Sequence, residues 1–184
     1  HRDLHSFPTR RSSDLGSGFT HFVGELYGGG IVVSVWKVSG VEHGLIASLA
    51  DISTGIAWSN ITSSLIGTTA QSPSDGQANT NAIIAQLGHT ASAAKLCDEY
   101  TNPSTGTGVY SDWYLPSIWE LMKCYNAALE VNIVLGASNG FQSATYWSST
   151  EKALDEAGNL VFDEGGGNEP AKNLLYRVRA VRRF

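Results

Sequence analysis

Residue types that carry special chemistry are scarce in this chain. Only two of its 184 residues are cysteine, and Cys97 and Cys124 lack the CxxC spacing of a redox or zinc site. Both fall on expected helices, where a helix-to-helix disulfide and a pair of buried thiols are each compatible and thiols are preferred. No stretch approaches the roughly 20 apolar residues of a membrane-spanning helix. Charged residues make up 16% of the chain with a net charge of −5, which argues against a nucleic-acid backbone as partner. No histidine stands in a metal or triad spacing, and His43, between two expected strands, reads as a turn hydrogen-bonder. The glycine runs at 28–30 and 165–167 lack the lysine or strand–turn–helix setting of a phosphate loop. No catalytic residue, metal ligand or cofactor is expected.

What the chain has in quantity is Gly, Ser, Thr and Asn. With an acidic balance, these suggest one loop-rich, extracellular-type domain, long enough to bury a substantial core. The first fifteen residues differ from all that follow. His5-Ser6-Phe7-Pro8-Thr9-Arg10-Arg11-Ser12-Ser13-Asp14-Leu15 resembles the in-frame translation of a common sequencing adapter, so residues 1–15 are set aside from fold reasoning. They hold three arginines against two aspartates, leaving −6 for the remainder. The natural N-terminus is then expected to be missing, and no signal can be read.

Residues 16–27 form a lead-in, and the domain is expected over 28–184. Ile31 to Val38 and Gly44 to Leu49 read as strands joined at Ser39-Gly40, and Thr54 to Trp58 as a short extended segment. Ser74 or Asp75 can cap a helix that stops at Gly88, and Ser92 to Tyr100 reads as a second. Asn60-Ile61-Thr62 matches a glycosylation sequon and is read as chance. After a turn-rich loop, Ser117-Ile118-Trp119-Glu120 has the form of a capping box. Ile118, Leu121, Met122, Tyr125 and Leu129 then fall at helical spacing as a core face, with Trp119 off it. Strands, helices and strands in succession indicate an α+β class.

The last forty or so residues join unlike parts. Ala144 to Thr150 and Tyr176 to Phe184 read as strands, with the alternation of the second broken at Val181, where a bulge or two-sided burial is expected. Arg177, Arg179, Arg182 and Arg183 read as paired or solvated structural residues. Between the strands, Lys152 to Tyr176 follows neither period and carries Gly165-Gly166-Gly167 at its centre. Irregular loops on a rigid frame are where binding surfaces are usually built.

These residues meet a family. Gly28-Gly29-Gly30-Ile31, His43-Gly44-Leu45-Ile46-Ala47, Asn79-Thr80-Asn81-Ala82-Ile83, Ala93-Ala94-Lys95-Leu96-Cys97, Asp112-Trp113-Tyr114-Leu115-Pro116-Ser117, Tyr146-Trp147-Ser148-Ser149-Thr150-Glu151 and Arg177-Val178-Arg179-Ala180-Val181 resemble the DUF1566 family. The likeness spans about Tyr27 to Phe184 and is nearest to members from gut Bacteroidetes and their phages. It implies a C-type-lectin-like fold, mostly antiparallel strands with two or three helices and long loops. It also implies a variable protein of a diversity-generating retroelement, whose C-terminal codons are rewritten at template adenines.

Carried over residue by residue, the resemblance places ligand-binding, variable positions at Leu154, Asp155, Gly158, Asn159, Val161, Asp163, Gly166, Gly167, Asn168, Pro170, Asn173, Leu174, Leu175 and Tyr176. Trp147, Phe162 and Ala180 fall to the scaffold. Lys152, Glu156, Glu164, Glu169 and Lys172 are not reached from the usual randomised Asn codon and are taken as fixed by the template or reached through other codons. The family often has Trp after Ala at Ala157-Gly158, and this chain departs from it there. Lectin calcium motifs are not matched, since Asn168-Glu169-Pro170 has the wrong order and Ser148-Ser149 follows Trp147. The resemblance thus implies a non-enzymatic domain on a phage tail or bacterial surface, binding an unknown cell-surface protein or glycan. A fixed adhesin or structural domain of a surface lipoprotein or tail fibre is the alternative.

Overall fold

Val, Ile and Trp over residues 31–38, buried at the start of the run and half-buried beyond, then a Ser39-Gly40 turn with both residues at positive φ, produce a long hairpin. In this computed structural model, which describes residues 18–184, that hairpin is the centre of the first of two sheets. The adapter-like residues 1–15 lie outside the described range. Along the chain run β1 (Leu26–Tyr27), β2 (Gly30–Val38), β3 (Val41–Ala47), β4 (Ser53–Ile56), a 3-10 turn (Thr68–Ala70), α1 (Gly76–Ile84), α2 (Ala93–Asp98), α3 (Ile118–Asn126), α4 (Ala128–Asn139), β5 (Thr145–Glu151), β6 (Ala157–Val161), β7 (Tyr176–Val178) and β8 (Val181–Arg183). The class is α+β.

One sheet has the order β1-β2-β3-β8 and the other β4-β7-β5-β6. All pairings are antiparallel except β5 with β7. The alternation that breaks at Val181 marks more than a bulge. The last strand is two, β7 in the second sheet and β8 in the first, with Arg179 and Ala180 buried at the crossing. Asp51 holds the crossing from the side, pairing with Arg177 and Arg179 at 2.9 Å each. The four C-terminal arginines are structural, for Arg182 pairs with Asp112 and Arg183 with Glu120.

Two apolar clusters fill the interior. One packs β2, β3 and β8 on α3 and α4 through Ile31, Leu45, Leu121, Val131 and Tyr146, and the other gathers Trp58, Ile83, Trp113, Trp147 and Ala180. His43 is a strand residue stacked on Trp36 across the hairpin rather than a turn hydrogen-bonder. Asn60, the sequon residue, accepts the N–H groups of Thr90 and Ala91 and so braces the turn before α2.

The helix starts follow their caps. Asp75 and Ser92 each accept the N–H three residues on. Ser117 and Glu120 form the reciprocal capping box. Glu120 does more than cap, for its carboxylate also accepts the N–H of Gly76, the Tyr114 hydroxyl and the Arg183 guanidinium. The first helix ends at Ile84, short of Gly88, where Ala85 donates to the Asn81 carbonyl and Gln86 tightens the last turn by donating to that of Ile83. The expected core face of α3 is partly wrong. Leu121 is buried, but Met122 and Leu129 are exposed, and Cys124, Ala127 and Val131 take the inner positions.

Cys97 and Cys124 are free and buried in different clusters. Burial in apolar surroundings pushes the Cys124 thiol up to about 12 and raises that of Cys97 as well. Both thiols therefore stay protonated through neutral and mildly alkaline pH. A disulfide-exchange reagent at pH 8 should label neither in the folded protein and both in denaturant; labelling of either on mixing would contradict this burial. Ser117→Ala should lower stability by about 1 kcal/mol in denaturant titration, the usual loss for an N-cap.

Candidate functional site

The stretch without a sequence period is largely built structure. β6 pairs with β5 on one side, and on the other its N–H groups reach an extended run over 166–171, Ala157 to Pro170, Asn159 to Asn168 and Val161 to Gly166. The Asn159 side chain adds a bond, accepting the N–H of Asn168 at 2.8 Å. Gly165 turns the hairpin at φ +71, and a Cβ there would lie 2.6 Å from the Tyr125 hydroxyl, so glycine is required twice over.

The base of the segment hangs on a buried ion pair. Lys172 Nζ stands 2.7 Å from Glu151 Oε1, and neither side chain is exposed to solvent. The ammonium also donates to the carbonyls of Leu154 and Ser64 and sits over the Trp58 ring at 4.9 Å. Glu151 in turn accepts the N–H groups of Ile66 and Gly67. Further out, Lys152 pairs with Glu169 across the hairpin at 3.0 Å. Below it, Trp147 is buried, donates to the Ile56 carbonyl and packs on Tyr176.

The expected binding positions divide on this frame. Leu154, Asp155, Asp163, Gly166, Gly167, Asn168, Asn173, Leu174 and Leu175 are exposed, while Val161, Pro170 and Tyr176 are half-buried. Gly158 and Asn159 are buried. Both sit in the middle strand of three, where the Gly158 carbonyl accepts the Ser148 hydroxyl and the Asn159 carboxamide holds the edge run. Their burial makes them part of the frame, at the floor of a small groove, whereas the resemblance places them among the variable contacts. Trp147, Phe162 and Ala180 are buried, as scaffold residues should be.

The exposed residues do not form one patch. Leu154, Asp155, Asn173, Leu174 and Leu175 gather at the Lys172 end, and Asp163, Gly166, Gly167 and Asn168 at the turn. The length of β6 separates the two groups by about 14 Å. Sequence reasoning passed over Leu65 and Leu87, both exposed, which border a groove of about 720 Å3 between residues 64–66 and the end of α1. The shared bonds of Lys172 to Ser64 and Leu154 bring that groove beside the first group. No period or motif could have announced a neighbourhood made by one buried ammonium.

With this geometry in place, known proteins can be compared. A family model described as the Lcl C-terminal domain matches residues 47–182. The chain belongs to this family. It is the same family as DUF1566, so the motifs from His43 to Val181 identified it correctly. No curated protein matches the chain. Among solved structures, a fimbrial protein from Bacteroides ovatus ATCC 8483 is similar at 19% identity and a TM-score of 0.51, over 75% of this chain and 35% of that one. Identity that low speaks for the fold alone, and this member of the Lcl C-terminal domain family spans about a third of that protein's length.

Removing Lys172 leaves a carboxylate buried without its counter-charge. Lys172→Ala should cost about 3–5 kcal/mol, whereas the double change Lys172→Met with Glu151→Gln should recover a large part of it. Leu175→Asp, on the exposed side, should stay within about 0.5 kcal/mol. Urea denaturation of the three variants measures the order, and equal losses at 172 and 175 would contradict the anchor.

Proposed function

We propose that this domain is a non-enzymatic receptor-binding module displayed on a bacterial surface or phage tail, with the exposed part of 152–176 as its contact surface. The observation that carries the reading is the separation of roles within one short segment. Trp147, Glu151, Ala157, Asn159, Leu160, Phe162 and Lys172 are buried, while Leu154, Asp155, Asp163, Asn168, Asn173, Leu174 and Leu175 are exposed. Such positions tolerate replacement at small cost in stability. Membership of the Lcl C-terminal domain family supports the reading, and so does the likeness in fold to a fimbrial protein.

Within this reading the fold is C-type-lectin-like and the exposed residues are rewritten by a retroelement at template adenines. The partner is a protein or glycan on a bacterial cell, engaged through apolar anchors at Leu154, Leu174 and Leu175 amid polar neighbours. A fixed, undiversified adhesin is the second reading. It is favoured by the burial of Gly158 and Asn159, which leaves fewer positions free to vary. Neighbouring DNA separates the two, for diversification requires a near-copy of the 3′ coding end, differing mainly at adenines, beside a reverse transcriptase.

Binding of the labelled domain to a panel of Bacteroidetes cells tests recognition directly. Leu154→Ser, Leu174→Ser and Leu175→Ser together should weaken cell binding by roughly tenfold or more, the scale of a lost hot spot, with the denaturation midpoint nearly unchanged. A grafted 152–176 segment that keeps Ala157, Gly158, Asn159, Leu160, Phe162, Gly165 and Lys172 should fold and bind a different set of cells. Unfolding of that graft would refute the division of roles, and unchanged cell choice would refute recognition by the segment.

A further inference from the structure

The helical pair α3–α4 is apolar on two opposite sides. Its inner side carries Leu121, Cys124, Ala128, Val131 and Leu135. Its outer side carries Trp119, Met122, Leu129 and Ile133, which are 60%, 38%, 71% and 76% exposed. The two helices keep one register, since Ala127 between them has helical backbone angles, bonds back to Lys123, and accepts from Val131. Asn126, also exposed, completes the outer row. Residues 119, 122, 126, 129 and 133 are spaced alternately three and four apart. This is the spacing of the a/d seam of a two-stranded coiled coil, with one polar residue at an a position of the kind that sets register.

We propose that this face docks the same face of a second copy of the chain, with the two helices antiparallel about a two-fold axis. The charges choose the occupant and the direction. On one flank of the seam, at e positions seven residues apart, stand Lys123 and Glu130, which border a shallow groove against Val23 and Val33. Lys123 lies over the Trp36 ring at 3.9 Å, and neither residue joins an ion pair among the described residues. When Asn126 packs level with Leu129 of the second copy, and Met122 with its Ile133, antiparallel geometry sets e against e. Lys123 then meets Glu130 of the second copy, and symmetry repeats the pair. Parallel pairing would instead set Lys123 and Glu130 against the opposite flank, where Ile118 and Tyr125 carry no charge.

That opposite flank faces the hairpin. The Tyr125 hydroxyl meets the Gly165 turn, and Ile118 lines the small groove with Gly167 and Asn168. In an antiparallel pair the two such flanks share one side, so both hairpin turns are presented together. Two binding surfaces held in that way raise avidity without any new contact to the partner.

Sedimentation of the chain across a concentration series tests the proposal. The unaltered protein should dimerise, and Ile133→Glu should raise the dissociation constant roughly tenfold or more. Lys123→Glu and Glu130→Lys should each weaken self-association, yet the two variants mixed should pair with each other, and the double variant should pair with itself. Circular dichroism checks that each is folded. If Lys123→Glu disturbs the Trp36 contact, Ile133→Glu and Glu130→Lys, at exposed positions, still decide the matter. A protein that stays monomeric throughout, an Ile133→Glu variant that dimerises undiminished, or charge variants that fail to rescue one another would overturn it.

Discussion

The Glu151–Lys172 pair is the constraint on which the rest of the surface depends. Two fully buried charges are costly to remove from water, and their attraction offsets that cost only when the remaining donors and acceptors are also satisfied. Here they are. Lys172 donates to Glu151, Leu154 and Ser64, while Glu151 also accepts from Ile66 and Gly67. One interaction therefore joins the end of β5, both ends of the irregular segment and the 64–67 loop. Because the bonds to Leu154, Ser64, Ile66 and Gly67 are to backbone atoms, the geometry does not depend on which side chains those positions carry.

A second set of charges does the same for the two sheets. Arg177 and Arg179 share Asp51, Arg182 takes Asp112 and Arg183 takes Glu120. Consecutive arginines on one terminal segment thus reach three different regions of the chain. Burial alone would raise the Asp112 carboxyl, but the Arg182 guanidinium, bonded through two nitrogens, outweighs it and holds that carboxyl below its usual range. The strand that begins in one sheet and ends in the other is fastened at each step, so the hairpin beside it rests on a stiff support.

Much of this was legible in the residues. The hairpin of Ile31 to Val38 with Gly44 to Leu49, the Ser117–Glu120 capping box and the strand over Ala144 to Thr150 all follow from local patterns that tertiary contacts then reinforced, to within a few residues at the strand ends. The α3 face was misread because a helix apolar on two sides has no single period. Met122 and Leu129 satisfy helical spacing with Ile118 as well as with Trp119, and only packing against β2 and β6 tells the sides apart. The burial of Gly158 and Asn159 was hidden for a related reason. A run rich in Gly and Asn reads as loop, yet between two strands a glycine gives room for the Ser148 hydroxyl and an asparagine supplies a side-chain bond in place of a backbone one.

By itself, the sequence determined the class of fold, the family and the strand frame at either end of the tail. Those are properties of local propensity and motif, which neighbouring residues largely set among themselves. The tertiary structure alone decided which residues between 152 and 176 face solvent, that Lys172 is buried as an anchor, and that Ser64 and Leu154 share its ammonium. Burial and ion pairing join residues far apart in the chain, here 151 with 172 and 64 with 154. No local pattern encodes a distance that exists only after the chain has folded.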